Sequence, residues 1–487
     1  MPILDEVRIT ELPGADPLAG PELIPLVQGG VTKSRSAQNL VLDGGLQAHL
    51  DAADPHTQYL KESEYEAHRS REDLLKQATL SLDFANNKYE VYEGPVNSLT
   101  QMPFNTALDF TRASSATART ATGNIQGVLT DEQRLVGNRE GLLIEEQRTN
   151  LITYSEQFDN AAWAKFGGAI TANTNLAPDG AVTGDTYLED NTLSSRVVRQ
   201  GVDVVSGLKY AFYVYAKLGS GDRKLALTLD GASNGAVFDL LAGTVLTTSG
   251  GSALIQSQNN GYYLVTYLFE ATSTGSVAAD VRIQRNSTTE TDNYTGDGTS
   301  SVILWGAQLE QGSFPTSYIP TAGTQVTRAA DDCVRVLGDE FNRSNFTAFV
   351  DVESALEETN ATALAIFSNV NNRIELRYSE SSSEKIRFEY IAGGIGYVTV
   401  TEVFDYSPSR KLLAVSVDVN TGTVKFGYGG QASKVLVSLP NLIGDLEIKL
   451  AESTFITSRM NAATFRSVQI FPRAFSEAEL VILTGGD

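Results

Sequence analysis

The segment GLLIEEQRTNLITYSEQFDNAAW, residues 141–163, opens the domain around which the rest of the chain is arranged. It passes from an apolar triplet through two acids and an arginine to an aromatic pair, Phe158 and Trp163. A second segment, LWGAQLEQGSFPTSYIPT at residues 304–321, has the pattern of a strand followed by an aromatic exit between prolines. The two framing segments enclose about 180 residues, close to the usual size of one domain.

Short alternating runs lie between the framing segments, and glycine-rich turns separate them. They predict strands at residues 196–205, 209–217, 224–230, 262–271, 280–285 and 300–309. In KYAFYVYAKL, alternation predicts one face formed by Tyr210, Phe212, Val214 and Ala216. Strands at such intervals are typical of a β-sandwich.

A second series of strands is predicted after residue 345. They fall at residues 346–352, 364–368, 373–378, 385–390, 397–401, 411–418, 423–427, 447–451 and 464–471. The closing stretch FRSVQIFPRAFSEAEL, residues 465–480, has Ser476 followed by Glu479, which is a capping box. A short helix should therefore begin there.

These motifs resemble known families. The framing segments are similar to those of jelly-roll domains like carbohydrate-binding modules, which recur in bacteriophage tail fibres and receptor-binding proteins. The closing stretch resembles the end of concanavalin-like and laminin-G-like lectin sandwiches. The resemblance implies an all-β chain with two β-sandwich (jelly-roll) domains, after an extended N-terminal virion-docking segment and a short helical trimeric stalk. The implied divisions are 1–40 for docking, 41–79 for the stalk, 80–140 for an extended β or linker segment, 141–335 for the jelly roll and 336–487 for the lectin-like sandwich.

The first forty residues are interrupted by prolines and glycines, so they cannot bury a core alone. They resemble the virion-attachment ends of tail fibres, and the apolar run Leu23, Ile24, Leu26 and Val27 favours docking over a loose terminus. The N-terminus lacks the basic and apolar regions of a secretion signal. We therefore expect assembly in a host cytoplasm and a final place on the virion.

The stalk contains a short motif common in trimeric phage fibres, made of Asp54, Pro55, His56, Gln58 and Tyr59 around Thr57. Residues 61–78 after it are rich in helix formers and predict a helix. Its heptad seam is too polar to hold three chains together by itself. The resemblance implies a homotrimer held by flanking β structure, in which His56 is a plain stalk residue or, less favoured, a metal ligand on the threefold axis.

Residues 80–140 begin with LSLDFANNKYEVY, which alternates enough for a strand, and continue with LDFTRASSATART at 108–120. The serine, threonine and asparagine between these runs favour irregular chain that lies on a neighbouring domain. A low-complexity linker is the alternative.

Composition excludes several functions. Acids exceed bases by 22 charges, so the surface repels nucleic acid and anionic lipid, and no apolar run is long enough to insert into a membrane. Cys333 is the single cysteine, which predicts a small core residue. The three histidines, His49, His56 and His68, precede residue 80, so no histidine-based catalytic or metal site can form in the two sandwiches.

Paired carboxylates remain as possible catalysts of glycoside hydrolysis. The pair Glu145 and Glu146 lies in a framing segment, where pairing with Arg148 is the favoured role. We predict a protein that is not an enzyme and needs no cofactor, with a polysaccharide depolymerase as the alternative. A structural calcium at Asp292 and Asp297, or at Asp179, Asp185, Glu189 and Asp190, is weighed against ordinary acidic loops, which are favoured.

Sugar binding requires exposed aromatic rings beside polar groups. In the second sandwich the candidates are Tyr378, Tyr397, Tyr406, Tyr428 and Arg373, whereas Trp163 and Trp305 are expected to be structural. The resemblance implies a fibre or receptor-binding protein that attaches noncovalently to host surface polysaccharide or lipopolysaccharide and docks to other virion proteins through its N-terminus. A purely architectural virion fibre is the alternative.

Overall fold

The structure is a computed structural model. It describes residues 24–28, 31–35, 70–92, 99–137, 140–229, 234–285, 293–354, 361–379, 385–403, 410–450 and 463–485. The chain divides into two compact units, Met1–Gln77 and Ala78–Asp487.

The first unit contains an antiparallel hairpin of β1 (Ile24–Gln28) and β2 (Val31–Arg35), and the helix α1 (Arg71–Leu75). Ser70 caps α1, because its Oγ accepts from the Asp73 amide at 3.2 Å while its own amide donates to Asp73. The described helix is shorter than the predicted 61–78. Leu23 and the predicted stalk motif lie outside the described residues, whereas Ile24, Leu26 and Val27 lie on β1.

The second unit opens with eight short strands and the one-turn helix α2 (Phe104–Ala107). The strands are β3 (Leu80–Asp83), β4 (Lys88–Tyr92), β5 (Leu99–Met102), β6 (Asp109–Thr111), β7 (Ala116–Arg119), β8 (Ile125–Val128), β9 (Leu135–Val136) and β10 (Gly141–Ile144).

The jelly-roll domain follows. Its strands are β11 (Arg148–Asn150), β12 (Ala164–Phe166), β13 (Gly168–Leu176), β14 (Val182–Glu189), β15 (Leu193–Ser194), β16 (Arg196–Val204), β17 (Lys209–Leu218), β18 (Lys224–Leu229), β19 (Asn234–Asp239), β20 (Thr244–Ser249), β21 (Gly251–Ser257), β22 (Tyr263–Glu270), β23 (Gly275–Gln284), β24 (Tyr294–Thr295), β25 (Ser301–Gln311) and β26 (Val326–Arg328), with a 3-10 turn at Asn259–Gly261. Two six-stranded sheets form the sandwich, in the orders β12-β16-β23-β18-β19-β20 and β13-β14-β25-β17-β22-β21.

The chain ends with eleven strands and the helix α3 (Glu477–Thr484). The strands are β27 (Asp332–Val336), β28 (Asn345–Ser354), β29 (Ala361–Asn369), β30 (Asn372–Ser379), β31 (Lys385–Ala392), β32 (Ile395–Val403), β33 (Arg410–Asp418), β34 (Thr423–Tyr428), β35 (Gln431–Leu436), β36 (Glu447–Leu450) and β37 (Ala463–Phe471). A ten-stranded sheet, mainly β35-β34-β33-β28-β37-β3-β4-β5, and a seven-stranded sheet, β32-β31-β30-β29-β36-β27-β6, form this second sandwich.

The early strands belong to the sheets of the C-terminal sandwich. Strands β3 and β10 pair with β37, and β6 pairs with β27. The predicted divisions at 80–140, 141–335 and 336–487 therefore need correction, since the jelly roll is inserted into a second β-sandwich whose strands come from both sides of it. The local pattern at 80–140 indicated strands but could not indicate partners almost the whole chain away.

Successive side chains of the central strand β17 point to opposite sides of its sheet, and both sides are covered. Phe212 and Val214, which were predicted to share one face, are fully buried between the two jelly-roll sheets. Tyr213 and Tyr215 point the other way and pack with Trp305 and other rings under the β7–β8 hairpin and the exit segment. The β7–β8 hairpin and the exit segment cover this aromatic cluster. The burial of Trp163 and Trp305 confirms their predicted structural role.

The core of the second sandwich includes Leu80, Leu82 and Phe465 and also Cys333, whose predicted burial is confirmed. The capping box predicted at the start of α3 is present, with the Glu479 amide donating to Ser476 Oγ at 3.1 Å. Within the described part of the chain, no helix is long and apolar enough to cross a bilayer.

Candidate functional site

An open cleft of about 680 Å³ lies beside β5, at one edge of the ten-stranded sheet. Its lining combines side-chain amides with an apolar floor. The lining residues are Asn87, Tyr89, Gln101, Met102, Pro103, Phe104, Asn105 and Gln133. We call this site the amide cleft.

The floor of the amide cleft is aromatic. Tyr89 on β4 and Phe104 at the start of α2 are both buried, and their rings meet edge to face with centroids 5.4 Å apart. Phe84 and Phe110 extend the same cluster on either side. Because Phe104 anchors α2 in the core, its neighbour Asn105 is left at the surface.

Asn87 is held in place by its backbone and by Tyr89. It ends the β3–β4 turn with φ of 53°, a left-handed conformation that asparagine tolerates better than most residues. Its Oδ1 accepts a hydrogen bond from the Tyr89 hydroxyl at 3.0 Å. Burial raises the pKa of Tyr89 above its usual value, so the hydroxyl stays protonated and can donate. This bond uses one of the two lone pairs of Oδ1, and among the described residues the Asn87 amino group forms no hydrogen bond, so both groups can contact a ligand.

The other three amides have no hydrogen-bond partner in the described part of the protein. Among the described residues, the side chains of Gln101, Asn105 and Gln133 form no hydrogen bond with the protein. Gln101 and Asn105 are exposed, and Gln133 is half-buried. Each amide offers two donors and one acceptor oxygen with two lone pairs, so together they can bind a ligand that both donates and accepts.

None of the described residues that line the amide cleft carries a formal charge at neutral pH. The only titratable group among them is the buried Tyr89, whose pKa is raised by burial. These residues supply neither a general acid and base pair nor a charged nucleophile near neutrality. Their arrangement suits binding of a neutral, hydroxyl-rich molecule.

The residues predicted from the sequence to bind sugar do not form a site within the described part of the structure. Tyr428 on β34 is only 7% exposed and packs in the core, so its ring lacks the exposed face that the prediction required. Arg373 lies on β30, in the opposite sheet, 3.6 Å from a carboxylate oxygen of Glu389. Tyr378 and Tyr397 lie on β30 and β32 but their side chains are outside the described part, as is all of Tyr406.

The amide cleft was missed because its residues fall in the segment interpreted as extended chain. Asn87, Gln101 and Asn105 each stand within two residues of an aromatic or apolar residue of the cleft. Gln133, in contrast, stands between Glu132 and Arg134, so nothing local indicates its place in the cleft.

The framing segment at 141–163 contributes Glu145 to a buried group of charged side chains that we call the arginine junction. It consists of Arg112, Arg134, Glu145, Arg328 and Asp331, each at most 2% exposed. Glu145 Oε2 accepts from Arg134 and from Arg328, at 2.6 Å each. Asp331 accepts from Arg112 at 3.1 Å, from Arg134, and from the Glu145 amide at 2.8 Å. The junction thus joins the two places where the chain passes between the sandwiches.

Electrostatics accounts for the state of Glu145. Burial by itself would raise the pKa of this carboxyl, but Arg328 and Arg134, with a hydrogen bond from Ser317, lower the pKa to about 2. Its neighbour Glu146 pairs with Arg148, which confirms the predicted structural pairing. In contrast to the amide cleft, every carboxylate of the junction has partners within the protein.

The carboxylates weighed for calcium also have protein partners. Asp185 accepts from the amides of Phe158 and Asn173, at 2.9 Å each. Glu189 accepts from Arg223 at 2.7 Å and from the Tyr294 hydroxyl at 2.5 Å. Asp292 lies outside the described residues. Within the described ranges, no group of three or more metal-ligating side chains is present.

Comparison with known proteins found no matching family model and no matching curated protein. Three solved structures with similar parts are sugar-binding or named as such. The carbohydrate-binding module CBM40 of the Ruminococcus gnavus IT-sialidase, bound to α2,3-sialyllactose, is 13% identical with a TM-score of 0.27 and covers 30% of this chain and 84% of its own. The CBM22 tandem of Paenibacillus barcinonensis Xyn10C is 10% identical with a TM-score of 0.23 and covers 68% and 99%. A putative carbohydrate binding protein from Bacteroides ovatus is 11% identical with a TM-score of 0.24 and covers 61% and 82%. At these scores we base no functional assignment on the similarity, and none of the three comes from a bacteriophage.

Proposed function

We propose that this protein binds a neutral glycan noncovalently in the amide cleft. One observation carries the proposal: within the described residues, three side-chain amides and the amino group of a fourth form no hydrogen bond, and they line a cleft beside buried aromatic rings. Sugar hydroxyls donate and accept hydrogen bonds, and amides match both roles. The volume of about 680 Å³ is typical of ligand clefts.

The apolar side chains that line the cleft support the same ligand class. Sugar rings have apolar faces of C–H groups, which pack against apolar surface while their hydroxyls reach polar side chains. Met102 is half-buried and Pro103 is exposed, so these two residues supply the apolar surface, because the rings of Tyr89 and Phe104 are only 2% and 6% exposed. A cleft lined by apolar and amide side chains therefore fits both faces of a sugar ring.

We further propose that the glycan belongs to a cell surface and that the protein is a fibre of a phage virion. The supporting observations are the framing segments, the stalk motif at 54–59 and the apolar run at 23–27. A homotrimer docked through its N-terminus would present three clefts, and avidity would offset weak single-site binding. Binding without turnover is proposed because the cleft lining has no charged group at neutral pH.

The test is a glycan array probed with the full chain. We expect the wild type to bind a set of neutral glycans, and a Gln101→Ala, Asn105→Ala double variant to lose at least tenfold in affinity for the same set, about 1.4 kcal/mol. Gln431→Ala is the matched control, because Gln431 is exposed on β35 at the opposite edge of the same sheet.

Equal binding by the double variant and the wild type would contradict the proposal. Failure of the wild type to bind any neutral glycan would favour a purely architectural role. Release of reducing ends from a bound polysaccharide would instead identify a depolymerase.

A further inference from the structure

A half-buried lysine in the jelly-roll domain has no carboxylate partner. Lys217 lies near the end of β17, with Nζ 4.8 Å from the centre of the Tyr262 ring and 3.5 Å from the Asn260 carbonyl oxygen. Among the described residues no acid forms an ion pair with it. The next basic residues along the chain differ, since Arg223 pairs with Glu189 and Lys224 pairs with Asp239 at 2.8 Å. A partly desolvated ammonium whose described contacts are a carbonyl oxygen and an aromatic ring, with no described acid, is unusual in a chain with net charge −22.

Lys217 lines a second open cleft, of about 640 Å³, on the outer side of the sheet that contains β14, β17 and β25. The polar groups around it are Asn175, Thr186, Ser220 and Ser301. None of the described residues that line this cleft is acidic. We call it the lysine cleft.

The hydroxyl groups of the lysine cleft are ordered in two sets. The Asn175 amide donates to the Thr186 hydroxyl at 3.1 Å. On the other side, the hydroxyls of Ser220 and Ser301 lie 3.0 Å apart. The Ser220 hydroxyl also donates to the Thr299 carbonyl oxygen, and the hydroxyls of Thr174 and Thr186 lie 2.6 Å apart, so protein contacts orient these groups. Because each hydroxyl oxygen has two lone pairs, the cleft can still offer neutral acceptors around the Lys217 ammonium.

We propose that the lysine cleft binds an acidic sugar, with the Lys217 ammonium pairing with a carboxylate or phosphate and the serine, threonine and asparagine side chains bonding hydroxyls. Burial lowers the pKa of Lys217 because desolvation disfavours its charge, and a bound anion offsets that cost. The remote acids of the chain are screened beyond about 8 Å at physiological ionic strength. The site lies on the other sandwich and does not depend on the amide cleft.

The test uses ligand-observed NMR titration of the full chain with glucose, glucuronate and glucose 6-phosphate. These three sugars share the same ring and differ in the charge carried at carbon 6. We expect the wild type to bind at least one of the two acidic sugars at least tenfold more tightly than glucose. Lys217→Gln should abolish this preference, and Lys217→Arg should keep most of it. Lys209→Gln, an equal charge change at the exposed start of the same strand, should leave it unchanged.

Repeating the titrations in the Gln101→Ala, Asn105→Ala background separates the two clefts, since the acidic preference should persist there. Preference for glucuronate alone or for the phosphate alone would identify the source of the anion. Equal binding of all three sugars by the wild type would overturn the proposal, and so would equal losses in Lys217→Gln and Lys209→Gln. Lys217→Arg keeps the test decisive if Lys217→Gln folds poorly.

Discussion

The arginine junction and the amide cleft lie next to each other in sequence and use polar side chains in opposite ways. Gln133 lines the cleft, and the adjacent Arg134 is fully buried in the junction. Arg134 is paired with Glu145 and Asp331, whereas Gln133 has no partner in the described protein. In the junction the polar groups bond to one another within the protein. In the cleft they remain open to bond a ligand. Substitution in the junction should therefore affect stability, and substitution in the cleft should affect binding.

The largest expected effect is the loss of Glu145. Glu145→Gln removes the charge that neutralises Arg134 and Arg328, both buried, and uncompensated buried charge costs about 3–5 kcal/mol. Urea unfolding should show this loss. Glu146→Gln is the control, because its pair with Arg148 is partly exposed and should be worth about 1 kcal/mol or less. Equal unfolding midpoints for the two variants would show that the junction does not hold the sandwiches as described.

The next effect is on acid stability. The pKa of Glu145 is about 2 in the folded chain against a usual 4.5, so its stabilising effect is complete above pH 4.5 and is lost as the pH falls toward 2. The loss should approach about 3 kcal/mol. Glu310, Glu156 and Asp185 have raised pKa values from burial and contribute with the opposite sign.

The difference between wild type and Glu145→Gln isolates the junction from those opposing groups. Unfolding free energies measured from pH 6 to pH 2 should converge for the two proteins as the pH falls. A constant gap across this range would contradict the depressed pKa.

A smaller effect is expected at the floor of the cleft. Tyr89→Phe removes the hydrogen bond to Asn87 and should cost about 1 kcal/mol in unfolding free energy. It should also weaken glycan binding severalfold, because Asn87 is no longer oriented. Tyr390→Phe is the control, since it removes a buried hydrogen bond to the Pro440 carbonyl in the same sandwich but away from the cleft. Equal weakening of glycan binding by both variants would indicate a general loss of structure.

The smallest effect on stability is expected for the cleft amides. Gln101→Ala and Asn105→Ala remove no protein hydrogen bond and should each change the unfolding free energy by less than about 0.5 kcal/mol. Thermal melts would check this. A loss of several kcal/mol would mean that these amides belong to the fold, and the comparison with the junction would fail.

The sequence predicted the strands whose signal is local. β17 and β25 were found close to their observed limits because alternation and flanking turns are visible within ten residues. The capping box of α3 and the burial of Cys333 were predicted for the same reason. The trimer and virion docking remain predictions, since the stalk motif lies outside the described residues.

The insertion of one sandwich into the other could not be predicted, because it depends on pairing between distant residues. Arg134 and Asp331 are 197 positions apart, and nothing near either residue indicates the other. The cleft was missed for a related reason: Asn87 and Gln133 come from separate turns that only the fold brings together. Tyr428 is buried because it lies on the inward face of β34. The residue type alone does not show which face of a strand points inward.

The most direct test of glycan binding in the amide cleft is a titration of the tightest neutral array ligand. It uses the wild type, Gln101→Ala with Asn105→Ala, and Gln431→Ala, each at low and high salt. We predict at least a tenfold loss for the cleft variant alone and no dependence on salt, because neither side of the contact is charged. Unchanged affinity in the cleft variant, or affinity that falls steeply with salt, would contradict it.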